Sequence, residues 1–295
     1  MMGLLHRQEL REHGFTIVKN VIPRVDLETF ESACKHVFDN QLQLCGEEAG
    51  STLFESMKCL YSVDYDRYAR TASSLWRITE CSDIFSSEKL REEIRSTLGT
   101  ESLFHPGGMV VHVMATELKF KGGYFGFPAH QDYPSIGGSL DGIVVWIPIY
   151  DVDENRYPVE IIPGSHEQGM WKSEKVENSN AIMSELYSEE DFMAVCCKSG
   201  DAVLMSNFLV HRSSINGDSR LRLAVSNRYC NGEESTFIQR CYPTAYKRVV
   251  ERLDDAEVEE IMHQGDIPVF TDTRYPNELK WIKYIFRERI FAITF

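Results

Sequence analysis

Apolar positions along this chain follow two periods, and the switch between them divides it. From Val25 to about Gln41, the residues Leu27, Phe30, Cys34, Val37 and Phe38 recur every three or four positions with Asp, Glu and Lys between them, which predicts an amphipathic helix. Gln8–His13 predicts a short helix stopped by Gly14, and Arg67–Cys81 and Ser87–Leu98 predict two more. Between the first two helices, Phe15–Ile22 is rich in β-branched residues and predicts a strand that ends at Pro23. Residues 42–60 mix Gly, Glu and Ser with scattered apolar positions and read as a loop.

After Thr100 the pattern shortens. Strands are expected at Met109–Val113, Glu117–Phe120, Gly142–Tyr150, Val159–Ile162, Phe192–Cys197, Ala202–Ser206 and Arg222–Asn227. Turn clusters such as Gly122-Gly123, Pro163-Gly164-Ser165 and Asn216-Gly217-Asp218 punctuate them, which favours an antiparallel barrel or sandwich. Beyond about residue 243 helical patterns return, at Ala245–Leu253, Ala256–His263 and Pro276–Arg287. No Pro-, Gly- or Ser-rich linker interrupts the chain. The expectation is one domain over 1–295: a mainly helical part to residue 100, a β-core over 101–235, and a helical extension over 236–295.

Charge narrows the partners. A formal charge of −14 and the lack of any Lys/Arg-rich run argue against nucleic acid as the main partner. No apolar stretch approaches the roughly 18 residues of a spanning helix, so no membrane role is expected. The first residues hold no apolar core of signal-peptide length, and the eight cysteines form no Cys-x-x-Cys pair. Free thiols in a reducing compartment, and a cytoplasmic protein, are the expectation; the oligomeric state is not legible.

The chemistry starts at Pro128-Ala129-His130-Gln131-Asp132. In an extended strand, side chains at i and i+2 leave the same face, so His130 and Asp132 would project together. The third donor comes from elsewhere, and His211 is the candidate. Two His and one carboxylate with open positions is the ligand set of non-heme Fe(II) oxygenases. Downstream, period-2 alternation puts Arg220, Arg222, Ala224, Ser226 and Arg228 on one strand face and Leu221, Leu223 and Val225 on the other. Guanidinium inside a β-core is costly unless a carboxylate or phosphate meets it. Arg222, eleven residues after His211, therefore suggests an anchor for a dicarboxylate cosubstrate. Parity does not separate it from Arg220; spacing and the Arg-x-Ala pattern favour Arg222. Arg228, farther along, either offers the substrate a second anion site or closes a surface ion pair. Tyr124, Phe125 and Phe127 precede the triplet and are candidates to line the substrate mouth, and His105, His112 and His166 read as structural.

Taken together, these blocks resemble the phytanoyl-CoA dioxygenase (PhyH) family of Fe(II)/2-oxoglutarate oxygenases. The resemblance runs from about Gly14 to Tyr229, through Gly14–Val21, His130-Gln131-Asp132, Val145-Trp146-Ile147-Pro148 with Asp151, Ile162–His166, His211–Asn216 and Arg222-Leu223-Ala224. It implies a mainly β fold with flanking helices, built on a double-stranded β-helix (a cupin-like jelly roll). It also implies that His130, Asp132 and His211 ligate Fe(II), that Arg222 binds the distal carboxylate of 2-oxoglutarate, and that Gln131, Trp146 and Ser213 contact this cosubstrate, with O₂ as the second cosubstrate. Ala129 departs from the family, which often carries Trp there, and residues past 235 match none of its motifs.

Family halogenases need the carboxylate position vacated for chloride. Asp132 fills it, so the resemblance favours hydroxylation of an unactivated C–H bond, with desaturation or cyclisation as variants of the same chemistry. The absence of a Gly-rich phosphate loop or basic patch points away from a coenzyme A ester and towards a small, polar metabolite. A non-catalytic jelly-roll binding protein is the alternative from another class. It sits poorly with an intact donor set.

Overall fold

The computed structural model describes residues 2–120, 125–176, 179–245, 247–252 and 288–293. The chain divides into two compact units, Met1–Ala245 and Tyr246–Phe295. The first opens with helix α1 (Met2–His13), strand β1 (Phe15–Val18) and helices α2 (Arg24–Leu44), α3 (Leu53–Val63), α4 (Tyr65–Ser74), α5 (Thr79–Ser86) and α6 (Glu88–Leu98). Strands β2 (Leu103–Phe104) and β3 (Val110–Met114) follow, then a one-turn helix α7 (Tyr133–Ile136), β4 (Ile143–Pro148) and β5 (Val159–Ile161). A hairpin of β6 (Ser173–Val176) and β7 (Ser179–Ile182), strands β8 (Met193–Val195), β9 (Ala202–Ser206), β10 (His211–Ser213) and β11 (Arg222–Asn231), and helix α8 (Ser235–Gln239) complete it.

Two antiparallel sheets form the jelly roll. The larger runs β1-β9-β4-β11, with β2 and β3 both pairing β11; the smaller runs β10-β5-β8. The larger sheet is buried on both faces, which is why β4 is apolar at every position, Ile143 to Pro148. Its side chains still sort by parity. Val144 and Trp146 join Val203, Met205 and Ala224 against Val159, Ile161 and Val195 of the smaller sheet. Ile143, Val145 and Ile147 face the other way, with Leu204, Leu223 and Val225, onto Leu27, Phe30 and Phe38 of α2. Each fully buried Phe or Leu there stabilises the fold by ~1.5–3 kcal/mol.

Several expectations change. The stretch 42–60 is not all loop: α3 begins at Leu53, where Thr52 accepts a hydrogen bond from the Glu55 amide and Leu53, Met57 and Leu60 bury one stripe. The single helix expected over 67–81 breaks at Ile78, whose extended backbone separates a 3-10 turn from α5. Glu117–Phe120 is not a strand, since Thr116–Leu118 is a 3-10 turn. The polar hairpin β6–β7 and the three-residue β10 carry no apolar alternation and were not expected from sequence. In the second unit, residues 247–252 of the helix expected over 245–253 form a strand, β12 (Lys247–Arg252), paired antiparallel with β13 (Glu288–Ile293). Adjacent Val249 and Val250 suit a strand better than a helix. The helices expected over 256–263 and 276–287 lie outside the described residues, and no helix among the described residues is long and apolar enough to cross a membrane.

Gly14 couples the helical part to the β-core. At φ +82°, its N–H donates to Leu10 O (3.0 Å) and its carbonyl accepts from the Ser206 amide (2.8 Å). A Cβ there would lie 2.6 Å from both His166 Nδ1 and Leu209 Cδ1. Gly14→Ala combines strained backbone with a clash and is expected to destabilise the protein by ~1–3 kcal/mol. An unchanged urea midpoint would contradict that.

Candidate metal centre and active site

His211 opens β10, and the backbone of His130 pairs with it outside any regular strand. His130 N–H donates to His211 O at 2.9 Å and His211 N–H returns the bond to His130 O at 3.0 Å. This reciprocal pair holds the two imidazole centroids 4.2 Å apart. Each ring also bonds a carbonyl two residues back: His130 Nδ1 to Pro128 O at 2.8 Å and His211 Nδ1 to Leu209 O at 2.9 Å. A carbonyl only accepts, so Nδ1 donates in both rings, which leaves Nε2 as the ring atom able to ligate a metal.

Asp132 arrives by a different route from the one its spacing suggests. The triplet is not an extended strand: Asp132 has φ −76° and ψ −32° and caps α7, whose first amide, Tyr133 N–H, donates to Asn207 O at 2.9 Å. The turn still brings Asp132 Oδ1 to 3.5 Å from His130 Nε2. The ligand atoms of His130, Asp132 and His211 all lie within 4.8 Å of one another, and among the described residues this is the group of His, Cys and acidic side chains able to hold a metal ion. Two imidazole lone pairs and one carboxylate oxygen match the donor set of a non-heme Fe(II) site.

Electrostatics leave those donors ready for a cation. Burial opposes ionisation of Asp132, but the Arg228 guanidinium, with Nε 3.1 Å from Oδ2, and the adjacent imidazoles hold its carboxyl well below the usual range. Burial, reinforced by neighbouring His130, pushes His211 down to about 4. At neutral pH Asp132 is therefore a carboxylate and His211 a neutral imidazole.

Beside the triad a cavity of about 170 Å³ runs between β3 and the 125–127 segment. Ser213 and Arg222 form its polar end with His112; Val110, Met114, Leu118, Phe120, Phe125 and Phe127 make most of the wall. The triad itself does not line it. Ser213, two residues past His211, connects them, and the Phe127 ring stands 5.5 Å from the His130 ring. Arg222 is 2% exposed, its Nη1 donates to Tyr157 O at 3.2 Å, and its guanidinium carbon lies 5.9 Å from the centre of the Trp146 ring.

The structure thus brings together His130, Asp132, His211, Arg222, Trp146, Ser213 and Phe127. Arg220 is separated from them, out at the surface with Asp153 and Asp218. Gln131 spends its amide on the backbone, donating to Gly169 O (2.8 Å) and Phe208 O (2.6 Å) and accepting from Trp171 N–H (2.8 Å), so both of its amide protons are committed away from a cosubstrate. Arg228 does not form the surface pair weighed for it; it is largely buried and binds Asp132. Tyr124 lies outside the described residues. His105 and His166 are structural, accepting from Asn227 Nδ2 and bonding Arg11 O respectively. His112 is half-buried in the cavity wall with Nε2 2.9 Å from Ser226 Oγ, a placement its sequence context does not signal. Sequence reasoning also missed Tyr157, which is fully buried at φ +48° and bonds Thr116 and Asp218 besides Arg222. Only its aromatic character hinted at a role.

The buried His211 predicts acid lability of the metal-free protein. Between the ordinary value of 6.5 and about 4, the unfolded chain binds a proton at this residue that the folded chain refuses. Stability therefore falls as pH drops through that window, by on the order of 3 kcal/mol. Asp132, depressed in the folded state, adds a further loss only below its unfolded value near ~4. Thermal melts between pH 7 and 4.5 should show the decline, and His211→Asn should make it shallower, the remainder coming from His112 and His105, which burial also holds below the usual range. A melting temperature independent of pH would contradict the assignment.

Comparison with known proteins agrees with this geometry. The family model for phytanoyl-CoA dioxygenase (PhyH) matches residues 10–224. The peroxisomal phytanoyl-CoA dioxygenase of Bos taurus is 19% identical over 241 residues, covering 78% of this chain and 69% of that one. Its Homo sapiens counterpart is 18% identical over 246 residues, covering 79% and 70%. Among solved structures, the apo non-heme monooxygenase ThoJ superposes with a TM-score of 0.55 at 16% identity over 77% of each chain. The non-heme alpha ketoglutarate dependent carbocyclase SnoK from nogalamycin biosynthesis gives 0.50 at 17% identity, covering 81% of this chain and 90% of that one. At such identities the structural likeness speaks for the fold, and it is the expected jelly roll. The chain belongs to the phytanoyl-CoA dioxygenase family and is a 2-oxoglutarate-dependent non-heme iron dioxygenase.

Proposed function

We propose that the protein hydroxylates an unactivated C–H bond of a small organic molecule, with His130, Asp132 and His211 holding Fe(II) and Arg222 anchoring 2-oxoglutarate. The observation that carries this reading is the set of three buried or half-buried donors, their ligand atoms within 4.8 Å of one another, beside a cavity lined by a buried guanidinium. Bound there, Fe(II) with 2-oxoglutarate and O₂ supplies an oxidant for a C–H bond, with 2-oxoglutarate leaving as succinate and CO₂.

The chain's own contribution is positional. Nδ1–H bonds to Pro128 O and Leu209 O fix the two rings. Arg222, immobilised by the Tyr157 carbonyl and the Trp146 ring, presents a fork that matches a carboxylate through two parallel bonds. The Ser213 hydroxyl accepts from the Phe127 amide at 3.2 Å and keeps its own proton available to a bound anion. The apolar lining of Val110, Met114, Leu118, Phe120, Phe125 and Phe127 would strengthen charge interactions with a bound cosubstrate once it displaces water. That wall favours a small, polar metabolite that also presents an apolar part. Hydroxylation is preferred to halogenation because Asp132 fills the carboxylate position.

Anaerobic addition of Fe(II) and 2-oxoglutarate should produce the weak visible charge-transfer band of the chelate, with succinate released on exposure to air. Absence of both would sink the reading. Asp132→Ala and His211→Ala should each abolish iron retention on gel filtration. Arg222→Ala should raise the 2-oxoglutarate concentration needed for half-maximal band intensity ~10–100-fold, the worth of a charge-assisted pair. Iron retention should be unaffected.

A further inference from the structure

The donor set does not explain why Asp132 should offer one oxygen rather than two. A carboxylate on a single Cβ–Cγ bond can rotate to chelate through both oxygens, which would consume a position that a cosubstrate needs. Here the two oxygens are differentiated. Oδ1 faces His130 Nε2 at 3.5 Å, and Oδ2 accepts from Arg228 Nε at 3.1 Å. The pair is largely out of water, with side-chain exposures of 12% for Arg228 and 6% for Asp132.

The guanidinium is itself held. Arg228 Nη1 donates to Ser226 Oγ at 3.3 Å, and Ser226 Oγ lies 2.9 Å from His112 Nε2. Because Ser226 accepts from the arginine, its own proton is free to go to His112, so a polar row crosses the inner face of β11 from the cavity wall to the carboxylate. Arg228 reaches it by strand parity from Arg222 through Ala224 and Ser226. The backbone at Arg228 is fixed in turn by its register with Val144 of β4.

We propose that Arg228 is the positioning residue of the metal centre: it binds Oδ2 of Asp132 and restricts that carboxylate to donation through Oδ1, keeping the remaining positions open for cosubstrates. This rests on the triad being the metal site. It assigns Arg228 a role towards the metal rather than towards substrate.

Removing Arg228 has two effects of opposite sign, which makes metal affinity decisive. Losing the clamp leaves a mobile carboxylate that must be ordered when the ion binds, which weakens binding even where both oxygens can then reach it; losing a positive charge close to a dication strengthens it. The experiment titrates Co(II) into the metal-free full-length protein, read by calorimetry and by the visible spectrum of the bound ion, for wild type, Arg228→Met and Arg228→Lys. Lysine keeps the charge but replaces the fixed planar donor with a mobile point charge. The proposal predicts that both variants bind Co(II) ~10–100-fold more weakly and with shifted visible bands, as expected when the hydrogen-bond partner of a metal ligand is lost. Tighter binding by Arg228→Met with a wild-type Arg228→Lys would show that Arg228 only neutralises a buried carboxylate, and would overturn it. An unshifted spectrum in either folded variant would do the same. Should Arg228→Met lose its far-UV circular dichroism, Arg228→Lys decides alone, by the same spectral shift. Failure of the wild-type protein to take up one Co(II) overturns the metal-site reading itself, and is distinguished by appearing before any substitution is made.

Discussion

The site depends on one reciprocal pair of backbone hydrogen bonds, between His130 and His211. Those residues lie far apart in the chain, and the regular ladder of the smaller sheet does not join them, since among the described residues β10 pairs with β5 alone. The isolated bridge docks the loop after residue 125 onto the sheet edge, sets the rings side by side, and delivers Asp132 at the entry of α7. Each imidazole then uses its Nδ1 proton on its own chain, which leaves Nε2 of each ring as its metal-binding atom.

A second constraint follows from putting cations inside the barrel. The chain is acidic overall, at −14, yet the inner face of β11 carries Arg222 and Arg228. Burying a guanidinium is tolerable only with a matched anion and satisfied donors. Arg228 meets Asp132 directly. Arg222 leans on a backbone carbonyl and an aromatic ring, at the end of a cavity with room for an anion's carboxylate. A locally cationic interior in an anionic protein thus makes a dicarboxylate guest the natural complement.

Much of this was legible in sequence because the β-core obeys parity. The alternation of Arg222, Ala224, Ser226 and Arg228 against Leu221, Leu223 and Val225 correctly separated the inner face from the helix-packed face. The conversion of the His-x-Asp triplet into adjacent donors was anticipated for a reason that proved incomplete, since a helix entry rather than a strand achieves it. Where sequence left a choice open or did not show a contact, the cause was tertiary. Arg220 and Arg222 share parity, and only the end of the ladder, with Asp153 and Asp218 waiting outside, sends one to the surface. Gln131 was committed to loop carbonyls that no local pattern identifies. The hairpin over 173–182 and the strand over 247–252 owe their state to pairing partners rather than to their own periodicity. The role of Arg228 depended on a contact across 96 residues.

The central claim is that one ion and one cosubstrate share the space between His130, Asp132, His211 and Arg222. A crystal structure grown without oxygen from Mn(II) and 2-oxoglutarate, with anomalous data at the manganese edge, tests it most directly. The account predicts a single anomalous peak bonded to Nε2 of both histidines and to Oδ1 of Asp132, with a carboxylate of the cosubstrate on Arg222. A peak elsewhere, or a cosubstrate that leaves Arg222 untouched, would contradict it.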